Sequence, residues 1–124
     1  MRLEKILNLL VNRSFANSTT YNILFNGYCK ARRIDEAMTL FQEMSRNEAT
    51  PNTVTYTILI GGMSLTRRLV DAQNLFKEMR IHGLVPNEMT YSALLDGLCK
   101  NGHIYEAFGI VREMQGSNQG GVVE

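Results

Sequence analysis

The chain repeats itself every 35 residues, and a tandem repeat of that length limits the fold to stacked supersecondary units. Residues 18–52 match residues 53–87 at 14 of 35 positions and residues 88–122 at 11, all before residue 115. The shared skeleton is Thr20-Tyr21, Thr55-Tyr56 and Thr90-Tyr91; Leu24, Leu59 and Leu94; Gly27, Gly62 and Gly97; and Ala37, Ala72 and Ala107. Glu43-Met44, Glu78-Met79 and Glu113-Met114 continue it, and Pro51-Asn52 and Pro86-Asn87 close the first two units.

Within each unit the apolar residues follow a helical period twice. Tyr21, Leu24, Phe25 and Tyr28 fall at i, i+3, i+4, i+7, as do Tyr56, Leu59, Ile60 and Met63, and Tyr91, Leu94, Leu95 and Leu98. The second set is Ala37, Leu40, Phe41 and Met44, repeated at Ala72, Leu75, Phe76 and Met79 and at Ala107, Ile110, Val111 and Met114. Short polar links, Arg32-Arg33, Arg67-Arg68 and Gly102-His103, separate the two sets, the length an antiparallel helix pair needs. Gly83 suits a helix C-cap and Pro86 a stop. A lone hairpin cannot bury both stripes, so the pattern predicts an all-α solenoid of stacked antiparallel helical hairpins. Glycine inside a helix costs about 1 kcal/mol relative to alanine. The recurrence of Gly27, Gly62 and Gly97 therefore predicts close helix approach, with Ala37, Ala72 and Ala107 expected as the small partner positions. The Arg pairs read as solvated charges at helix C-termini.

The expected organisation is the second helix of a truncated repeat over 1–17, repeats over 18–52 and 53–87, a third hairpin over 88–115 and a flexible tail over 116–124. Leu3, Ile6, Leu7 and Leu10 carry the second-helix spacing, and the tail is rich in Gly, Gln and Asn. Composition excludes several classes. No apolar run exceeds three residues, far short of the ~20 of a membrane span. Cys29 and Cys99 share one repeat position, filled by Ser64 in the middle unit, so they read as small helix residues and not as ligands or a disulfide framework. Thirteen Lys and Arg against twelve Asp and Glu give net +1, so bulk charge announces no nucleic acid. His82 and His103 lack an HExxH arrangement, and no nucleophile–base set or aspartate cluster is visible. The expectation is no enzyme, no cofactor, no metal site, no membrane and no small-molecule substrate.

The string from Thr20 to Ala37, TYNILFNGYCKARRIDEA, together with its two in-register recurrences, resembles the pentatricopeptide repeat (PPR) family. The resemblance covers about 18–115 and is nearest to the pure tandem class of plant organelles, including restorer-of-fertility-like proteins. Glu48 and Ala49 depart from it where the next unit has Gly83-Leu84, and the third closure is missing. Such proteins bind single-stranded RNA at about one base per repeat, read by two or three side chains. The resemblance implies that Asn22, Thr57 and Ser92 read bases from the first helices, and that Asn52 and Asn87 read them from the closing positions. An amide offers donor and acceptor and a hydroxyl serves as either, as a base edge requires. The same residue types are also the preferred helix N-caps.

Family pairings further imply C, with U tolerated, for Asn22 with Asn52, and A for Thr57 with Asn87. Ser92 implies a purine, with Val122 at its expected closing position leaving that base open. Thr19, Val54 and Met89 occupy the position that flanks the base, where an apolar side chain supports stacking. Lys30 and Lys100, near first-helix C-termini, are candidate phosphate contacts or simply cations at helix ends. The implied role is sequence-selective RNA binding in organellar transcript processing, stability, splicing, editing or translation, in mitochondrion or chloroplast, alongside other RNA-processing proteins. No targeting peptide is visible in the sequence, since Glu4 and Asn8 interrupt the apolar stretch. The alternatives are a helical-repeat scaffold that grips a protein or peptide, and a truncated product without independent function.

Overall fold

The computed structural model describes residues 17–46 and 49–118. These form six α-helices: α1 (Ser18–Lys30), α2 (Ile34–Arg46), α3 (Thr53–Leu65), α4 (Leu69–Ile81), α5 (Glu88–Lys100) and α6 (Ile104–Asn118). The half-unit expected over 1–17 lies outside the described residues except for Asn17, as do Val122 and most of the tail. The helix α6 runs to Asn118, past Gly116, where the repeat pattern ends.

Each first helix starts on an asparagine. The Oδ1 atoms of Asn17, Asn52 and Asn87 accept the N–H of Thr20, Thr55 and Thr90 at 3.0 Å. Thr55 and Thr90 reciprocate, each hydroxyl accepting the backbone N–H of its own cap residue at 3.0 and 3.2 Å. This is a capping box with threonine in the place of the usual Glu or Gln. Each first helix also ends alike. Arg33, Arg68 and His103 donate their N–H to the carbonyls of Tyr28, Met63 and Leu98 at 2.9, 2.8 and 2.8 Å. The residue before each of them is left-handed, with φ of 61° at Arg32, 65° at Arg67 and 79° at Gly102. So the first member of each Arg pair makes the turn. The second is held in ion pairs, Arg33 with Glu36, and Arg68 with Asp71 at 3.0 Å and Asp35 at 2.7 Å. The arginine links are therefore built into the hairpins and are not merely solvated charges.

The helical faces expected from the period are the core. Tyr21, Leu24, Phe25 and Tyr28 are buried, as are Tyr56, Leu59, Ile60, Met63, Tyr91, Leu94 and Leu98. In the second helices Ala37, Leu40, Met44, Ala72, Leu75, Phe76, Met79 and Ala107 are buried, with Phe41, Ile110 and Met114 packed against them. Full burial of one such large side chain contributes about 1.5–3 kcal/mol.

The first helices α1, α3 and α5 pack on one another in series, while beyond their own hairpins α2 packs weakly on α3 and α4 weakly on α5. The first helices thus form a continuous inner layer, and the second helices lie spread apart behind it. Glycine sets the inner spacing, but with a different partner from the alanines. A Cβ on Gly62 would stand 2.4 Å from Cys29 Sγ and 3.0 Å from Ile34 Cδ1, and one on Gly97 would stand 2.4 Å from Ser64 Cβ. The small partner is the Cys29/Ser64 position of the preceding first helix. Ala37, Ala72 and Ala107 are buried, but none of them is among the atoms nearest Gly62 or Gly97. Hydroxyls at the helix starts add a further tie, Ser18 Oγ to the Thr50 carbonyl at 2.5 Å and Thr53 Oγ1 to the Val85 carbonyl at 3.5 Å.

Candidate nucleic-acid interface

In the first two units the inner layer brings the expected reading residue to the expected closing residue of the same unit, across the junction with the next. In the first unit the contact is direct. Asn22, 8% exposed, donates from Nδ2 to Asn52 Oδ1 at 3.3 Å. Its own Oδ1 lies 2.6 Å from the Thr55 hydroxyl, which is buried. In the second unit the contact is bridged. Thr57 Oγ1 lies 2.7 Å from Thr90 Oγ1, and Thr90 Oγ1 lies 3.0 Å from Asn87 Oδ1. Thr57 also donates to the Thr53 carbonyl at 2.8 Å. A hydroxyl has one proton, so with that donation made Thr57 offers only lone pairs, one of them to the Thr90 proton, and Thr90 is then tied to Asn87 by the backbone N–H that its oxygen accepts at 3.2 Å.

The caps fix the polarity of the closing amides. Asn52 and Asn87 must turn Oδ1 inward, because a backbone N–H demands an acceptor there. Their Nδ2 groups consequently face outward as donors, on residues that are exposed. The oxygen of each side chain caps a helix and leaves its NH₂ free to donate outward, so the cap does not exclude a second role for these asparagines.

Ser92 is exposed at the equivalent position of α5, and its closing partner lies outside the described residues. Of the flanking residues, Val54 is 52% and Met89 70% exposed, and Thr19 is exposed as well. Solvent-facing apolar side chains such as Val54 and Met89 provide surfaces on which a flat ring can stack. Lys30 and Lys100 are exposed at the ends of α1 and α5; Lys100 pairs with Asp96 at 3.0 Å.

Two groups away from these positions are shifted by burial. Burial pushes the Cys29 thiol up to about 11, whereas Cys99 is exposed. Burial and then the neighbouring Glu78 carboxylate, which accepts the Tyr56 hydroxyl at 3.0 Å, raise the Tyr56 phenol above its ordinary value.

Two contributions escaped the sequence reading. Thr55 and Thr90 are the buried hydroxyls that lock cap, reading residue and closing amide together. Their recurrence at 35 residues was visible, but a repeated Thr beside a core Tyr reads as packing until the cap is seen. Asn17 stands one period before Asn52 and caps α1 in the same way, so it occupies a closing position too.

Comparison with known proteins agrees with this architecture. The PPR repeat family matches residues 16–65, and the PPR repeat matches residues 54–84 and 82–115. The crystal structure of the pentatricopeptide repeat protein PPR10 in complex with an 18-nt psaJ RNA element is 32% identical with a TM-score of 0.81, covering 92% of this chain. A cysteine-to-serine variant of PPR10 with the same RNA element gives the same values. PPR10 from maize is 33% identical with a TM-score of 0.75 over 90% of the chain. The chain spans only 17%, 17% and 16% of those PPR10 chains. Curated protein sequences gave no match. The chain belongs to the pentatricopeptide repeat family.

Proposed function

We propose that the chain is a non-catalytic module that binds single-stranded RNA and reads one base with each repeat. The observation that carries this is the coupling of Asn22 to Asn52, and of Thr57 to Asn87 through Thr90, with each closing amide polarised outward. The PPR10 structures that hold an RNA element support it. An outward NH₂ donates to an unprotonated ring nitrogen, which A and C offer on their pairing edge beside an amino group. The outward lone pair of Thr57 complements that amino group. Size then separates the two units. Asn22 is longer than Thr57 and leaves space for the smaller ring, so the first unit takes C with U tolerated, and the second takes A. Ser92, short like Thr57, takes a purine. Thr19, Val54 and Met89 flank the bases, and Lys30 and Lys100 approach phosphate. The role is organellar, in mitochondrion or chloroplast of a plant, in RNA processing with other proteins, in the manner of restorer-of-fertility-like members.

The test is Asn87→Asp in the second unit, grafted into a longer array so that affinity is measurable. Aspartate keeps the cap but turns the outward donor into an acceptor, so preference should move from A toward G, whose ring nitrogen carries a proton. A correct base-edge pair is worth roughly 1–3 kcal/mol, so the switch should appear as ~5- to 150-fold in relative affinity. Base preference unmoved by Asn87→Asp but altered by changes at the core residue Tyr56 would sink the assignment.

A further inference from the structure

Behind the inner layer, clefts open between successive second helices among the described residues, and two of them share four positions of the 35-residue register, Phe41/Phe76, Gln42/Lys77, Ser45/Arg80 and Glu78/Glu113. The one between α2 and α4 has a volume of about 490 Å³ and is lined by Phe41, Ser45, Pro51, Tyr56, Glu78 and His82, among others. The one between α4 and α6 is about 300 Å³, with Phe76, Arg80 and Glu113 in its lining. One period relates Phe41 to Phe76, Tyr56 to Tyr91 and Glu78 to Glu113, but Ser45 to Arg80. In the second cleft the Arg80 guanidinium lies over the Phe76 ring, 5.4 Å from its centroid, and bonds Glu113 at 3.2 Å. In the first, the ring and carboxylate are present without the arginine. The rings are set alike, since Phe41–Tyr56 and Phe76–Tyr91 both meet edge-on at 5.5 Å. Glu78 accepts the Tyr56 hydroxyl and has no ion pair among the described residues.

We propose that the cleft between α2 and α4 receives the guanidinium of an arginine side chain presented by a partner protein. The molecule itself supplies the template, because Arg80 already lies over the equivalent ring and against the equivalent carboxylate in the way a visiting arginine would here. A planar guanidinium can lie over Phe41 and fork onto Glu78 together, which a compact ammonium does less well. The Glu78 carboxylate repels phosphate, so the occupant is a protein and not a nucleic acid. None of the base-reading residues lines the cleft, so it stays open when the inner face is occupied.

The experiment titrates the ¹⁵N-labelled full chain with acetyl-Gly-Arg-Gly-amide and with its lysine and citrulline counterparts. The arginine peptide should give saturable shifts at Ser45, Thr50, Glu78 and His82 with an affinity on the order of millimolar. Citrulline, which keeps the shape and loses the charge, should bind at least about fivefold more weakly. Ser45→Arg should fill the cleft from within and weaken the peptide about tenfold or more. Glu78→Gln, which still accepts from Tyr56, should weaken it about tenfold. Arg80→Ser should open the second cleft and create a second binding event near Phe76 and Glu113. Circular dichroism on each variant confirms that the helices persist. Equal affinity for citrulline, an unaltered Ser45→Arg, or no second event in Arg80→Ser would each overturn the proposal.

Discussion

At the junction of the first two repeats Gly62 lies against Cys29 and Ile34, while at the junction of the second and third Gly97 lies against Ser64. The first junction is crossed by the ion pair Arg68–Asp35 at 2.7 Å, near the start of the second helices. The second is crossed by Arg80–Glu113 at 3.2 Å, toward their end. Asn22 touches Asn52 directly at the first, and Thr57 reaches Asn87 through Thr90 at the second. Buried geometry thus repeats and exposed charge wanders. Close backbone approach has one solution, glycine against a small residue, whereas an exposed ion pair contributes only about 0–1 kcal/mol wherever it sits.

The largest effect should come from crowding a junction. Gly97→Ala places a methyl against Ser64, including its backbone Cα at 3.1 Å, which no side-chain rotation relieves. Overpacking typically costs about 1–3 kcal/mol, against a helix-propensity gain of about 1. Urea unfolding should show net destabilisation, and Ser64→Gly should recover most of it. Gly62→Ala should be equally damaging, but Cys29→Gly should rescue it only in part because Ile34 remains. A Gly97→Ala chain more stable than its parent would show that the junction is not close-packed.

Next comes the buried hydroxyl. Thr90→Val and Thr55→Val each break a capping box, at about 1–2 kcal/mol in stability. Their effects on recognition should differ. Thr90→Val uncouples Thr57 from Asn87 and should flatten the base preference of the second unit, while Thr55→Val leaves Asn22 bonded to Asn52 and the first unit selective. Binding assays on grafted units with single-base changes would expose equal losses, which the geometry forbids.

Smaller still is the turn. Arg67 holds a left-handed φ at which Gly102 sits in the next unit, and a left-handed residue with a Cβ costs roughly 1–2 kcal/mol. Arg67→Gly should therefore raise the thermal midpoint by the equivalent of about 0.5–1 kcal/mol once the added freedom of the unfolded chain is counted. The smallest effects belong to the exposed pairs: Asp35→Asn and Glu113→Gln should each shift stability by about 0–1 kcal/mol. Those shifts should fade in about 1 M salt, where screening acts within ~3 Å.

Periodicity made the helices and their buried faces legible, because a 3.6-residue repeat of apolar residues has one structural meaning in a hairpin array. It did not identify what each glycine meets. Gly62 and Ala37 are both small, and only the crossing of successive first helices decides that Cys29 is the neighbour. The helix end at Asn118 was hidden as well, since Gly116, Ser117 and Asn118 weaken a helix without blocking it as proline does. At the candidate site the reading and closing residues came from a resemblance, and the structure explains why the residues alone were ambiguous. Asn52 and Asn87 are helix caps by their oxygens and presented donors by their nitrogens.

The uneven spacing of the two layers has a mechanical meaning. First helices locked through Gly62 and Gly97 fix the step from one repeat to the next like rigid links along a chain. The second helices, separated by clefts and tied across them by the exposed pairs Arg68–Asp35 and Arg80–Glu113, form a compliant back. A stretching or bending load would open the back first and leave the inner step nearly constant. The pitch of the stack can therefore change while the spacing of neighbouring first helices holds, and whatever fills an outer cleft acts as a wedge on that pitch.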